Sequence, residues 1–158
     1  MSFRNAAVLS LVILAGCQRM VMVQTTAMAH APRSDDVEMQ TFTRMVNEYR
    51  RKVGCTPLQW DDRIAAVAQK HSDDMARRHY FDHNNPEGKS PFDRLRLAHV
   101  SFRGAAENIA SGQVTRSQVF NSWLNSPGHR RNIENCSYTH HGLGLTNAYW
   151  THDFISAP

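Results

Sequence analysis

The chain has 158 residues, enough for one domain with a sizeable core, and its 41% hydrophobic and 20% charged residues are ordinary for a globular protein. The formal net charge is +4 and the pI about 9.3, yet the cations fall in short runs: Arg50-Arg51-Lys52, Arg77-Arg78 and Arg130-Arg131. Such runs read as solvated faces and argue against a nucleic-acid partner, which needs many phosphate contacts on one face.

The chain opens MSFRNAAVLSLVILAGC, with one cation, Arg4, ahead of an apolar run from Ala6 to Ala15. That run is too short to span a bilayer and fits the core of a signal peptide over residues 1–16. Leu14-Ala15-Gly16-Cys17 resembles a bacterial lipobox. Cys17 is then expected to become the acylated first residue of the mature chain, anchored firmly to a membrane by several acyl chains together. The expected location is periplasmic or cell-surface. Plain secretion, with cleavage elsewhere, for instance after Ala27-Met28-Ala29, is the alternative. Residues 17–35 show no clear period and contain Pro32. They read as a lipidated tether, roughly 60 Å long when stretched and about 25 Å as a coil, leading to a folded domain over 36–158.

The first helix is expected from Asp36 to Lys52, with Asp35 and Glu38 as start signals and Gly54 as the stop. Met39, Phe42, Val46, Tyr49 and Val53 form its apolar stripe. Pro57 to Trp60 reads as an extended connector. A second helix starts from an Asp61 cap and runs to about His79, with Ile64, Ala68, His71 and Met75 facing inward. Ser90-Pro91-Phe92-Asp93 is a compact helix start: Ser90 caps, Pro91 suits the first position and Asp93 closes the capping box. Thr115 with Gln118 makes a second box, followed by Val119, Phe120, Trp123 and Leu124. In Asn121 to Ile133, Ser126-Pro127-Gly128 is expected to end that helix and leave His129 in a turn. Ala105 to Ala110 is compatible with a strand, and Gly142 to Ile155 reads as a hairpin turning at Thr146-Asn147-Ala148. Helices around a small sheet with sequential strands argue an α+β fold with a mainly antiparallel sheet.

With Cys17 assigned to the anchor, Cys55 and Cys136 remain. In an oxidising compartment they make a natural disulfide, closing a loop that contributes roughly 4 kcal/mol in the chain-entropy model. Two buried free thiols are the alternative. His-Glu-x-x-His, Gly-x-Ser-x-Gly, a phosphate-binding glycine loop and Cys-x-x-Cys are all absent, which argues against an ordinary zinc protease, serine hydrolase or nucleotide enzyme.

Several short stretches recur in a telling order: Asn47-x-Tyr49-Arg50, Pro57-Leu58-x-Trp60-Asp61, His71-Ser72-x-Asp74-Met75-Ala76, Ser90 to Leu95, Glu107-Asn108-Ile109-Ala110, Trp123-x-x-Ser126-Pro127-Gly128-His129-Arg130, Gly142-x-Gly144 and Tyr149-Trp150. Together they resemble the CAP superfamily, or SCP domains, in its bacterial secreted branch, over about Glu38 to Ile155. The resemblance implies a three-layer α-β-α sandwich with a central cavity lined by two histidines and two acids. His83 matches the first histidine, Glu107 the first acid and His129 the second histidine. The second acid's position, three residues after the helix tryptophan, holds Ser126.

His83, Glu107, Ser126 and His129 are therefore the expected ligand-binding set. Two imidazoles, His83 and His129, and the Glu107 carboxylate are also a reasonable set for Zn²⁺ with an open coordination position. Glu107 as a structural hydrogen-bond hub is the plainer alternative. His71 is expected to be a satisfied core histidine. His140 and His141, being adjacent on a strand, must face opposite ways. His152 could face the cavity, His79 and His99 are expected at the surface, and Trp60, Trp123 and Trp150 in the core. The function expected is capture of a lipid or other small hydrophobic ligand, a metal, or an envelope component. The alternative is a metal-assisted hydrolase acting on peptide or envelope polymer, with Glu107 as general base.

Overall fold

Hydrogen bonds local to each helix start set most of the element boundaries. In the computed structural model, which describes residues 34–158 with side chains from residue 39 onward, helix α1 spans Ser34–Lys52. It begins two residues before the expected Asp36. The signal-peptide reading of residues 1–16, the lipidation of Cys17 and the tether up to residue 33 lie outside the described residues, while Ser34 and Asp35, expected in the tether, belong to α1. Asp61 accepts from the Arg63 amide and starts α2, Asp62–Arg78, which closes on a left-handed His79. Reciprocal capping boxes open α3, Pro91–Leu97, from Ser90 and Asp93, and α4, Arg116–Asn125, from Thr115 and Gln118. All three starts fall where the sequence puts them.

The Pro127-Gly128 step does more than stop a helix. Ser126 ends α4 and simultaneously starts α5, Pro127–Glu134. Proline fits a first helical position because its missing N–H would have no partner there. His129 therefore lies in the first turn of a new helix, not in the turn expected for it.

Four strands complete the domain: β1 (Gln59–Trp60), β2 (Gly104–Ser111), β3 (His140–Thr146) and β4 (Tyr149–Ser156). Their order is β1-β3-β4-β2, with β1 parallel to β3 and the other two pairings antiparallel. β3 and β4 form the expected hairpin, turning on Asn147 and Ala148, both with positive φ (48° and 62°), the mirror-type geometry that matches strand twist. β2 is an edge strand.

The sheet lies between two helical layers. On one face α1, α4 and α5 pack Phe42, Val46, Val119, Phe120, Trp123 and Ile133 against Leu143, Trp150 and Phe154. On the other, Ile64 and Val67 of α2 meet Leu95 of α3 and Ile155 of β4. Glycine decides how close α2 comes. A Cβ at Gly142 would lie 2.2 Å from the Ala65 nitrogen, and one at Gly144 2.4 Å from the Ala68 carbonyl carbon. The α+β class and the three layers match the expectation.

Two expectations fail. Val53 is exposed, because α1 ends at Lys52 and no longer carries its stripe. Arg50, read as part of a solvated run, is fully buried. Its guanidinium donates to the carbonyls of Thr56 (3.0 Å), Ile133 (2.7 Å), Asn135 (3.0 Å) and Tyr138 (3.1 Å). Beside it the Cys55–Cys136 disulfide forms, across 81 residues of sequence, so the alternative of two free thiols falls.

Candidate functional site

Alternation along β2 sends Glu107 toward the α2 side of the sheet and Asn108 toward the α5 side. Both do work at this edge. The Glu107 side chain is only 1% exposed, and both its oxygens are engaged. Oε1 accepts from His83 Nδ1 at 2.8 Å, and Oε2 accepts from Arg94 of α3 at 2.5 Å. Asn108 Nδ2 donates to the His129 carbonyl at 3.0 Å, and Asn132 Nδ2 donates to Asn108 Oδ1 at 2.8 Å. This amide pair fastens the start of α5 to β2.

His83 arrives from the loop between α2 and α3. That loop is held by His71, a buried residue of α2 whose Nε2 lies 3.0 Å from the Asp82 carbonyl. A carbonyl only accepts, so Nε2 carries the hydrogen. Burial pushes the His71 pKa down and keeps it neutral. It is the satisfied core histidine expected. Arg94 adds a second hold, donating to the His83 carbonyl at 2.7 Å.

The charges follow from this arrangement. The hydrogen bond to Glu107 raises the His83 pKa, although the imidazole is half exposed. His129 shifts the other way, first through burial and then through the charge on His83. Of the two imidazoles, the more readily protonated one, His83, is thus the one seated on the buried carboxylate.

The structure brings His83 directly onto Glu107, while His129 is tied to the same strand through its carbonyl, which accepts from Asn108. Ser126 stays at the α4–α5 junction, its carbonyl accepting from the Arg130 amide at 2.8 Å. Among the described residues no hydrogen bond joins Ser126 to His129, so the sequence neighbours do not form a Ser–His pair. His152 does not face this site. It is fully buried on the opposite face of the sheet, with Nε2 2.9 Å from His141 Nδ1. His79 and His99 are exposed. Trp123 and Trp150 are buried, and Trp60 is partly so.

The set does not fit a zinc ion. Among the described residues no three His, Cys, Asp or Glu side chains converge to hold a metal. Glu107 is already neutralised by the Arg94 guanidinium on one oxygen and engaged by the His83 imidazole on the other, so a cation there would compete with Arg94 for the carboxylate and with Glu107 for His83. A cleft of ≈ 770 Å³ opens beside the cluster, with Lys70, Asp74, Arg78, Glu87 and Arg94 among its walls. Arg94 belongs to both. The walls are charged, unlike the apolar lining that suits a small hydrophobic ligand.

Sequence reading missed Arg94, Asn132 and Asp153. Asp153 lies on β4 directly opposite Glu107 and is fully buried. Burial first, and then the Glu107 charge, pushes its pKa well above the usual carboxylate range. The signal was available: an acid inside the strand run Trp150 to Ile155, next to Phe154 and Ile155, is a candidate for a paired, buried position.

The family model for CAP, the cysteine-rich secretory protein family, matches residues 43–154. The chain belongs to the CAP family. The uncharacterized protein YkwD of Bacillus subtilis is 39% identical over 134 residues, covering 84% of this chain and 52% of its own length. The uncharacterized membrane protein YlbC of the same species is 42% identical over 111 residues, 70% of this chain and 32% of its own. This CAP chain thus spans about half, or less, of these relatives. Among solved structures, an extracellular protein containing an SCP domain from Bacillus anthracis superposes with a TM-score of 0.73 at 35% identity, covering 77% of this chain and 42% of that one. An outer surface protein from Borrelia burgdorferi shares the fold, with a TM-score of 0.71 at 24% identity over 77% of this chain and 94% of its own.

Proposed function

We propose that this CAP chain is exported, anchored at the cell envelope through Cys17, and acts by binding a polar envelope component at the His83–His129 edge. Export is supported by the N-terminal sequence, with its short apolar run ending at Leu-Ala-Gly-Cys. It is supported too by an extracellular relative and by an outer-surface protein of the same fold. The observation that carries the binding reading is the pairing of a 1% exposed Glu107 side chain with a 50% exposed His83. A buried carboxylate holds an imidazole whose outer edge stays open, and the partly buried Arg94 guanidinium holds both that carboxylate and the His83 carbonyl. That is a rigid polar fixture, and its orientation is set before any ligand arrives.

The same geometry does not favour hydrolysis with Glu107 as base. A general base must reach the proton it takes, and both Glu107 oxygens already accept from Arg94 and His83. The charged cleft likewise favours a polar partner over a small hydrophobic ligand.

Two measurements test the proposal. Fractionating cells that express the full chain should place the wild type in the membrane and a C17S variant in the soluble exported fraction. A wild type retained in the cytoplasm would overturn export. Solubilised envelope glycan and peptide fragments, titrated separately, should shift the His83 and His129 imidazole signals in NMR. Equal binding by the H83A/H129A variant would overturn the site.

A further inference from the structure

Asp153 and Glu107 are directly opposed across the β2–β4 ladder. Opposed residues project to one face with Cβ atoms about 4.5–5.5 Å apart, so the two carboxyl groups share one small volume. The volume is closed, since Asp153 is fully buried. Neither of its oxygens accepts a hydrogen bond from any donor among the described residues. An ionised carboxylate left so would carry its full desolvation cost. The polar group beside it is Glu107, which is an acceptor on both oxygens. Glu107, holding Arg94 and His83, is therefore the ionised member, and the hydrogen belongs to Asp153.

We propose that Asp153 is the second acid of the site: a neutral carboxylic acid whose O–H donates to Glu107 and fixes that carboxylate between Arg94 and His83. It is a positioning residue, acting through Glu107. Ser126 leaves the α4–α5 junction without a carboxyl group, and β4 supplies one instead. The charged and titratable groups around Asp153 are Glu107 from β2, Arg94 from α3 and His71 from α2, while β3 presents only Gly142 at this level. Glu107 and Arg94 cancel, Asp153 and His71 are neutral, and His83, its pKa raised by the bond to Glu107, is left as the titrating group of this cluster. The direction of the Asp153 shift, upward through burial and the Glu107 charge, agrees.

The inference rests on the reading of His83, Glu107 and His129 as one site, but its test needs no ligand. The ¹³C carboxyl resonances of the wild-type domain should place Asp153 at the neutral-acid position and Glu107 at the carboxylate position from pH 5 to 8. In D153N the carboxamide N–H replaces the O–H donor, so the His83 titration midpoint should stay where it is. In D153A the donor is lost and the midpoint should rise, because Glu107 becomes a stronger acceptor. A wild-type Asp153 resonance at the carboxylate position would overturn the proposal. So would a D153N midpoint lowered by about one pH unit, the effect of removing a negative charge within about 4–6 Å. Envelope fragments that fail to bind, with these spectra as expected, would remove the ligand reading and leave the acid pair standing.

Discussion

Replacing Arg50 by methionine should be among the most damaging single changes in the domain, although nothing in a run of three cations suggests it. Methionine fills much of the same volume but cannot donate. Four carbonyl groups would lose a guanidinium partner, those of Thr56, Ile133, Asn135 and Tyr138. The bonds to Ile133 and Tyr138 are buried, the other two partly so. An orphaned buried acceptor costs about 1–3 kcal/mol. Taking the two buried acceptors at the middle of that range gives a loss of about 4 kcal/mol, eased somewhat by no longer burying a charge. Against a typical stability of about 5–15 kcal/mol this is a large fraction. The disulfide holds the same loop: Cys55 lies three residues past the end of α1, and its amide donates to the Arg50 carbonyl at 2.9 Å. With its cysteines 81 positions apart, it contributes roughly 4 kcal/mol in the chain-entropy model. Urea unfolding of wild type, R50M, C55A/C136A and the triple variant, extrapolated linearly, gives the full cycle. The expected result is a loss near 4 kcal/mol for R50M and a non-additive triple variant, with a coupling of about 1 kcal/mol or more. An R50M protein within about 1 kcal/mol of wild type would refute the reasoning, since ordinary surface changes stay within about 0.5 kcal/mol.

Acid should destabilise the domain through the buried His141–His152 pair. Burial lowers both pKa values, that of His141 to about 3, so below about pH 6.5 the unfolded chain binds more protons than the folded one and stability falls with pH, by up to about 1.4 kcal/mol per pH unit per histidine. Urea midpoints from pH 7 to pH 4 check this: H152F should flatten the decline, and an unchanged slope would count against the pair. Gly144→Ala should cost about 1–3 kcal/mol by forcing β3 and α2 apart, read as a fall in Tm; an unchanged Tm would show that α2 moves freely on the sheet. Glu107→Gln should drop the His83 titration midpoint, because the negative charge that strengthens its hydrogen bond is gone and only a neutral amide acceptor remains, and an NMR titration with no shift would refute the His83–Glu107 contact.

The helices α2, α3 and α4 were legible in the sequence because their start signals are local. Asp61, Ser90 and Thr115 each bond an amide two or three residues ahead, and apolar spacing then fixes the inner face. The β3–β4 hairpin was legible for the same reason, its strands being separated by a two-residue turn. The family pattern added the pairing of His83 with Glu107 as site candidates from distant stretches. The rest required coordinates. Pro127-Gly128 carries the same letters whether it stops a helix or restarts one, and the outcome depended on the Asn108–Asn132 contact that docks α5 on β2.

The sequence alone therefore settled α1 to α4, the β3–β4 hairpin and the family they compose, since caps, turns and periodicity act over a few residues. Tertiary structure alone decided that Arg50 is interior, that His152 turns away from Glu107, and that Asp153 turns toward it. Arg50 and Tyr138 stand 88 residues apart, and the role of a polar side chain at such a distance is set by which face of the sheet it meets and what already waits there.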